Sequence, residues 1–113
     1  MCSADQLQTI LGRLLDDLRV ALGTQIREAI LFGSYARQDT RDDSDIDVLV
    51  LVDLDRERIA GYTWKIGEIA SALLMDYGVM VSPLVENADH YMRHTDVLPF
   101  YRNIQREGVR IGA

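Results

Sequence analysis

The run Ile46-Asp47-Val48-Leu49-Val50-Leu51-Val52 constrains this chain more than any other segment. It is too apolar to lie in water, and its β-branched residues fall mostly on one face of an extended chain, which predicts a buried strand. Yet the run opens on Asp45 and Asp47, two carboxylates separated by one residue. A strand alternates its side chains, so both carboxylates emerge on one face while Ile46 and Val48 point the other way, into a helix layer. Two carboxylates held a few Å apart repel each other unless a cation sits between them. Magnesium suits the arrangement, because it prefers oxygen ligands and combines one or two carboxylates with substrate phosphates.

A complementary half lies upstream. Ala29 to Phe32 predicts a short buried strand ending at Gly33, Ser34 to Gln38 a brief helical turn, and Asp39 to Ser44 a polar loop. Glycine after a strand lets the backbone turn and approach a ligand closely, and a helix that begins at Ser34 aims free N–H groups outward. Those groups and the Ser34 hydroxyl would hold a phosphate opposite the cation, which together describes a bound nucleoside triphosphate. Arg37 and Arg41 flank this place; they either neutralise the triphosphate or pair with Asp39, Asp42 and Asp43. Ser44 is placed to stabilise the turn through its hydroxyl. Other phosphate and metal motifs fail. An EF-hand loop started at Asp43 puts Val48 at the glycine position and Leu54 at the bidentate glutamate. No Gly-Lys-Ser/Thr of a Walker loop is present.

The remaining elements follow from periodicity and caps. Leu7, Ile10, Leu11, Leu14, Leu15, Leu18 and Leu22 recur at three- and four-residue steps, predicting an amphipathic core helix capped by Ser3 and stopped by Gly23. Arg56 to Asp76 reads as a long helix, with a bend possible at Gly61 or Gly67 and an end at Gly78. Val79 to Val85 predicts a third strand, which Pro83 assigns to an edge or a strand end. Asp89 to His94 predicts a short helix. Pro99 opens a last helix that Gly108 closes, and Val109 to Ile111 a short final strand. The fold class is α/β (α+β), two-layer: a small mixed sheet with helices packed on it, in one domain over residues 1–113. Trp64, Tyr62, Phe100 and Tyr101 are expected as packing groups. His90 and His94, four apart but without a third ligand, are expected on a solvated helix.

Composition excludes several classes. The net charge of −6 opposes bulk binding to nucleic-acid backbones. No apolar run approaches the roughly 20 residues of a membrane span, and no secretory signal is visible, so a cytoplasmic location is expected. The single Cys2 is read as an incidental thiol.

Gly33-Ser34, ten residues, then Asp45-Ile46-Asp47, within "GSYARQDTRDDSDIDVLV", resembles the signature of the minimal nucleotidyltransferases of the DNA polymerase β superfamily. The order of elements matches over roughly residues 5–111, which implies a nucleotidyltransferase-like fold. The resemblance implies that Asp45 and Asp47 are catalytic and bind Mg2+, two ions when nucleotide is present. It implies that Gly33 and Ser34, with Arg37, hold the triphosphate of ATP or another NTP. The chemistry would be nucleotidyl transfer with release of pyrophosphate.

The family also carries a third carboxylate on a later neighbouring strand. Here that strand reads Val79-Met80-Val81-Ser82-Pro83-Leu84-Val85, without Asp or Glu. Asp76 and Glu86 flank it outside the required place, so the third carboxylate is not found; of the two, Glu86 is the better substitute. Gln38 stands where family members often carry glycine; if that position requires positive φ, glutamine there costs about 1 kcal/mol.

The chain holds little beyond the core domain, so the acceptor surface is expected from a partner protein or a second copy. Small members of the family often pair with a helical HEPN protein as a toxin–antitoxin system, the nucleotidyltransferase adenylylating the toxin. The first expectation is therefore a magnesium-dependent protein adenylyltransferase of that antitoxin kind. The alternatives are a catalytically impaired nucleotide-binding module that regulates a partner by contact, and transfer to a small molecule.

Overall fold

The computed structural model describes residues 2–112. The apolar run forms strand β2 (Ile46–Val52), as the sequence predicts, and lies inside a four-stranded mixed sheet. On one side it pairs antiparallel with β1 (Ile26–Phe32), on the other parallel with β3 (Val81–Asn87). The fourth strand, β4 (Val109–Gly112), pairs antiparallel with the free edge of β1, giving the order β3-β2-β1-β4. Pro83 thus sits on an outer strand, where a missing N–H is tolerated.

Helix α1 (Ala4–Leu22) begins at Ser3 with a capping box. The Ser3 hydroxyl accepts from the Gln6 backbone N–H at 3.2 Å, and the Gln6 side-chain Oε1 accepts from the Ser3 backbone N–H at 2.9 Å. It packs with α4 (Thr63–Tyr77) on the face of the sheet that carries Ile46, Val48, Val50 and Val52, closing a core with Leu14, Leu18, Ile69 and Leu73. This is the two-layer body. The opposite face is not bare: α5 (Ala88–His94) and α6 (Pro99–Glu107) set Ala88, Tyr91, Tyr101 and Ile104 against Ile30, Leu49 and Leu51. No described helix is long and apolar enough to cross a membrane.

Four details depart from the sequence reading. The helix expected from Arg56 to Asp76 is two helices, α3 (Arg56–Ala60) and α4. Asp55 caps the first, and the Gly61 N–H closes it on the carbonyls of Arg58 and Ile59; Gly67 lies inside α4 without breaking it. Strand β1 starts at Ile26, three residues early, with Arg27 paired to Asp53 at 2.9 Å and Glu28 to Arg110 at 2.5 Å. Strand β3 is displaced two residues toward the C-terminus, because Ile46 pairs with Val81 and Val52 with Asn87. Trp64, expected in packing, is 80% exposed: it stands on the outer side of α4 and donates its indole N–H to Glu68 at 3.0 Å.

Candidate active site

The C-terminal end of β1 and the N-terminal end of β2 meet in one corner, and the signature residues collect there. Phe32 pairs with Asp47 across the antiparallel ladder, so the chain turns at Gly33 directly beside the Asp47 carboxylate. Gly33 has φ +77° and ψ −155°, a conformation that side chains oppose. There is a second reason for glycine. A Cβ added at this position would lie 2.5 Å from Asp47 Oδ2. The bend therefore exists to bring bare backbone against a carboxylate.

Helix α2 (Ser34–Arg37) starts at once from this bend. The N–H groups of Ala36 and Arg37 both reach the Gly33 carbonyl, at 3.1 Å each, and the first amides of any helix find no intrahelical acceptor. Gln38 ends the turn in the left-handed conformation, φ 60° and ψ 35°, the case in which glycine would be favoured. The Ser44 hydroxyl accepts from the Arg41 N–H at 2.7 Å and holds the intervening loop, again as predicted.

Asp45 and Asp47 lie two residues apart at the start of β2, Asp45 exposed and Asp47 half-buried. Burial pushes the Asp47 carboxyl above its ordinary value, the charge of Asp45 pushes it further, and Arg37 pulls it back. The charges of Asp45 and Arg37 thus both reach Asp47, with opposite effect. Arg37 pairs with Asp39 at 3.2 Å and with Glu107 of α6 at 3.6 Å. Of the two roles open to this arginine, the surface pairing is present, beside a location suited to the phosphate role.

The donor set fits a hard dication. Two mutually repelling oxygen donors, Asp47 in β2 and Asp45 just before it, one of them partly desolvated, are relieved by an ion that takes carboxylate ligands and completes its shell elsewhere. Glu86, the better of the two flanking acids, does not supply a third carboxylate. Across the parallel ladder the partner of Asp47 is Ser82; Glu86 faces Leu51 instead, four residues further along β3. At roughly 3.3 Å per residue that places Glu86 about 13 Å from the Asp47 level. Among the described residues no group of three His, Cys, Asp or Glu side chains is arranged to hold a metal. His90 and His94 stack at 4.3 Å between ring centroids, and the His94 Nδ1 contacts the His90 carbonyl oxygen at 2.8 Å.

Ser82 escaped the sequence reading as the facing residue because a two-residue slip of a strand keeps the same faces, so alternation alone cannot detect it.

Known structures share this fold. A crystal structure of a toxin–antitoxin with AMP-PNP superimposes with a TM-score of 0.59 at 21% identity, over 91% of this chain and 73% of that one. A tri-AMPylated Shewanella oneidensis HEPN toxin in complex with MNT antitoxin gives 0.55 at 20% identity, over 94% and 72%. The sequence profile of the nucleotidyltransferase domain matches residues 11–101. A Methanocaldococcus jannaschii protein named "Putative protein adenylyltransferase MJ0604" is 34% identical over 84 residues, 74% of this chain and 76% of the relative. The chain belongs to the nucleotidyltransferase domain family.

Proposed function

We propose that this chain transfers the nucleotidyl group of a nucleoside triphosphate, AMP from ATP, to a hydroxyl of a partner protein. The hydroxyl oxygen forms a bond to the α-phosphorus, the bond from that phosphorus to the pyrophosphate oxygen breaks, and the hydroxyl proton passes to solvent water. The observation that carries this reading is the seating of Asp47 against the bare backbone of Gly33, with Asp45 beside it. Gly33 gives the phosphates close access, Ser34 offers a hydroxyl and an amide, and Arg37 adds positive charge on the same side. Asp45 and Asp47 would hold Mg2+, which when bound neutralises charge on the phosphoryl oxygens and aligns the attacking and leaving groups.

Protein as the acceptor class is supported by the name of the M. jannaschii relative. A HEPN-type toxin as the partner, with this chain as antitoxin, is supported by the resemblance of the signature and by the kind of complex in which the same fold occurs. The test is a transfer assay with α-labelled ATP, magnesium and the product of the neighbouring gene. Label is expected on that product, and is expected to fall by roughly 10²-fold or more with Asp45→Asn and with Asp47→Asn. Transfer that both substitutions leave undiminished overturns the assignment.

One observation favours a second reading, a nucleotide-binding module that acts by contact. Ser82, not a carboxylate, faces Asp47, so no side chain there takes the acceptor proton. General-base help contributes roughly 10²- to 10⁴-fold to a rate. Calorimetric binding of ATP without transfer would favour the module. In that case Ser82→Asp is expected to restore transfer by at least about tenfold.

A further inference from the structure

The carboxylate pair has a cavity on either flank, and the two differ in charge. One, of about 400 Å³, is lined by Asp42, Asp43, Ser44 and Asp45, and no Lys or Arg is among its described lining residues. A polyanion carried into it would meet only like charge. The other, of about 420 Å³, begins at Gly33 and Arg37 and runs to α6, where Phe100, Asn103 and Glu107 form its far wall. It opens from the same glycine that touches Asp47.

The chemistry of that wall suits a flat heteroaromatic ring. Phe100 was expected to anchor α6, but Tyr101 does that, 6% exposed, while Phe100 keeps 48% of its surface exposed. Its ring is held rather than loose: it meets Phe32 edge-on, with centroids 5.6 Å apart and planes at 84°. One turn away, Asn103 accepts from Arg106 at 3.3 Å through its oxygen, which leaves the amide N–H₂ to donate. Glu107, fixed by Arg37, borders the same space. A pre-positioned aromatic face with an amide donor beside it is how proteins hold a base without reading its sequence context.

We infer that the cavity between Gly33 and α6 is the subsite for the purine base of the nucleotide, stacked on Phe100 with Asn103 donating to a ring nitrogen. This rests on the proposed nucleotide site and extends it: the triphosphate lies at the Asp45–Asp47 corner, and the base lies across Gly33 and Arg37 from it. Neither Phe100 nor Asn103 touches the reacting atoms. Their part is affinity for the base and choice among bases.

The experiment measures Kd by calorimetry in magnesium for ATP, CTP and inorganic tripolyphosphate, with the unaltered chain, Phe100→Ala and Asn103→Ala. The unaltered chain is expected to bind ATP more tightly than CTP, and both more tightly than tripolyphosphate. Phe100→Ala is expected to weaken ATP by about tenfold or more, as loss of one base–aromatic stack does, and to leave tripolyphosphate unchanged. Asn103→Ala, at an exposed position that leaves folding intact, is expected to weaken ATP by a smaller factor and to narrow its preference over CTP. Equal ATP affinity in all three proteins overturns the subsite while leaving the phosphate corner standing. So does a loss of transfer to the acceptor with nucleotide affinity unchanged, which assigns the cavity to the acceptor. Failure of the unaltered chain to bind either ATP or tripolyphosphate overturns the nucleotide site and this inference with it.

Discussion

The two faces of this sheet are built from the same strands and do opposite work. On the α1–α4 face, Leu14, Leu18, Val48, Val50, Val52 and Leu73 are completely buried, and the core they close holds no charge. On the other face the cover is short: α5 and α6 shield Leu49 and Leu51, while Phe32, Asp47 and Ser82 remain half-buried toward the Gly33 end. The first face supplies apolar burial, at about 25 cal/mol per Å². The second holds a desolvated carboxylate beside another, an arrangement that opposes folding and serves a ligand. β2 carries both, because alternation sends Ile46 and Val48 to one side and Asp47 to the other. Stability and chemistry can thus be altered separately in a single seven-residue strand.

The sharpest way to break this comparison is to damage each face in turn. Leu14→Ala on the sealed face is expected to lower unfolding free energy by about 2–5 kcal/mol in urea titration, the cost of a large core deletion. A loss under about 1 kcal/mol would mean that the face is not close-packed.

Asp47→Asn on the open face is expected to do the reverse. Transfer should fall by roughly 10²- to 10³-fold, as when an electrostatic group at the reacting centre is removed. Stability in EDTA should not fall. The sign follows from linkage: the folded chain holds the Asp47 proton more tightly than the unfolded chain does. Its contribution is therefore present below the ordinary carboxyl value of 3.8 and is lost as pH rises through the raised value. Melting temperature against pH should show that loss in the natural chain and not in Asp47→Asn. An equal pH dependence in both removes Asp47 as its source.

Gly33→Ala should couple the two behaviours, since the new methyl meets Asp47 and the backbone there opposes a side chain. A loss of about 1–3 kcal/mol together with weaker nucleotide binding is expected. Loss of stability with unchanged binding would detach the bend from the site. The smallest effect belongs to Gln38, which holds a left-handed conformation without glycine. Gln38→Gly should raise stability by up to about 1 kcal/mol and leave transfer as it was.

Much of this molecule is written locally. Ser3 and Gly23 bracket α1, Pro99 and Gly108 bracket α6, and the period of two in Ile46–Val52 gives both the strand and the separation of Asp47 from the Ile46 and Val48 face. Each depends on side chains acting on their own backbone or on neighbours a few residues away, so short-range rules suffice. The family pattern, with glycine at the place of Gln38, raised positive φ there as a condition, and the backbone meets it.

Contacts between distant segments decided the rest. Whether Ser82 or Glu86 faces Asp47 depends on how β3 slides along β2, and slides by two residues leave the hydrophobic pattern of each strand unchanged. Whether Trp64 is buried depends on which side of α4 meets α1, and whether Phe100 or Tyr101 anchors α6 depends on how that helix lies over Ile30 and Leu49. These choices are set by the fit of side chains that meet only after the chain has closed, and no window of neighbouring residues contains that information.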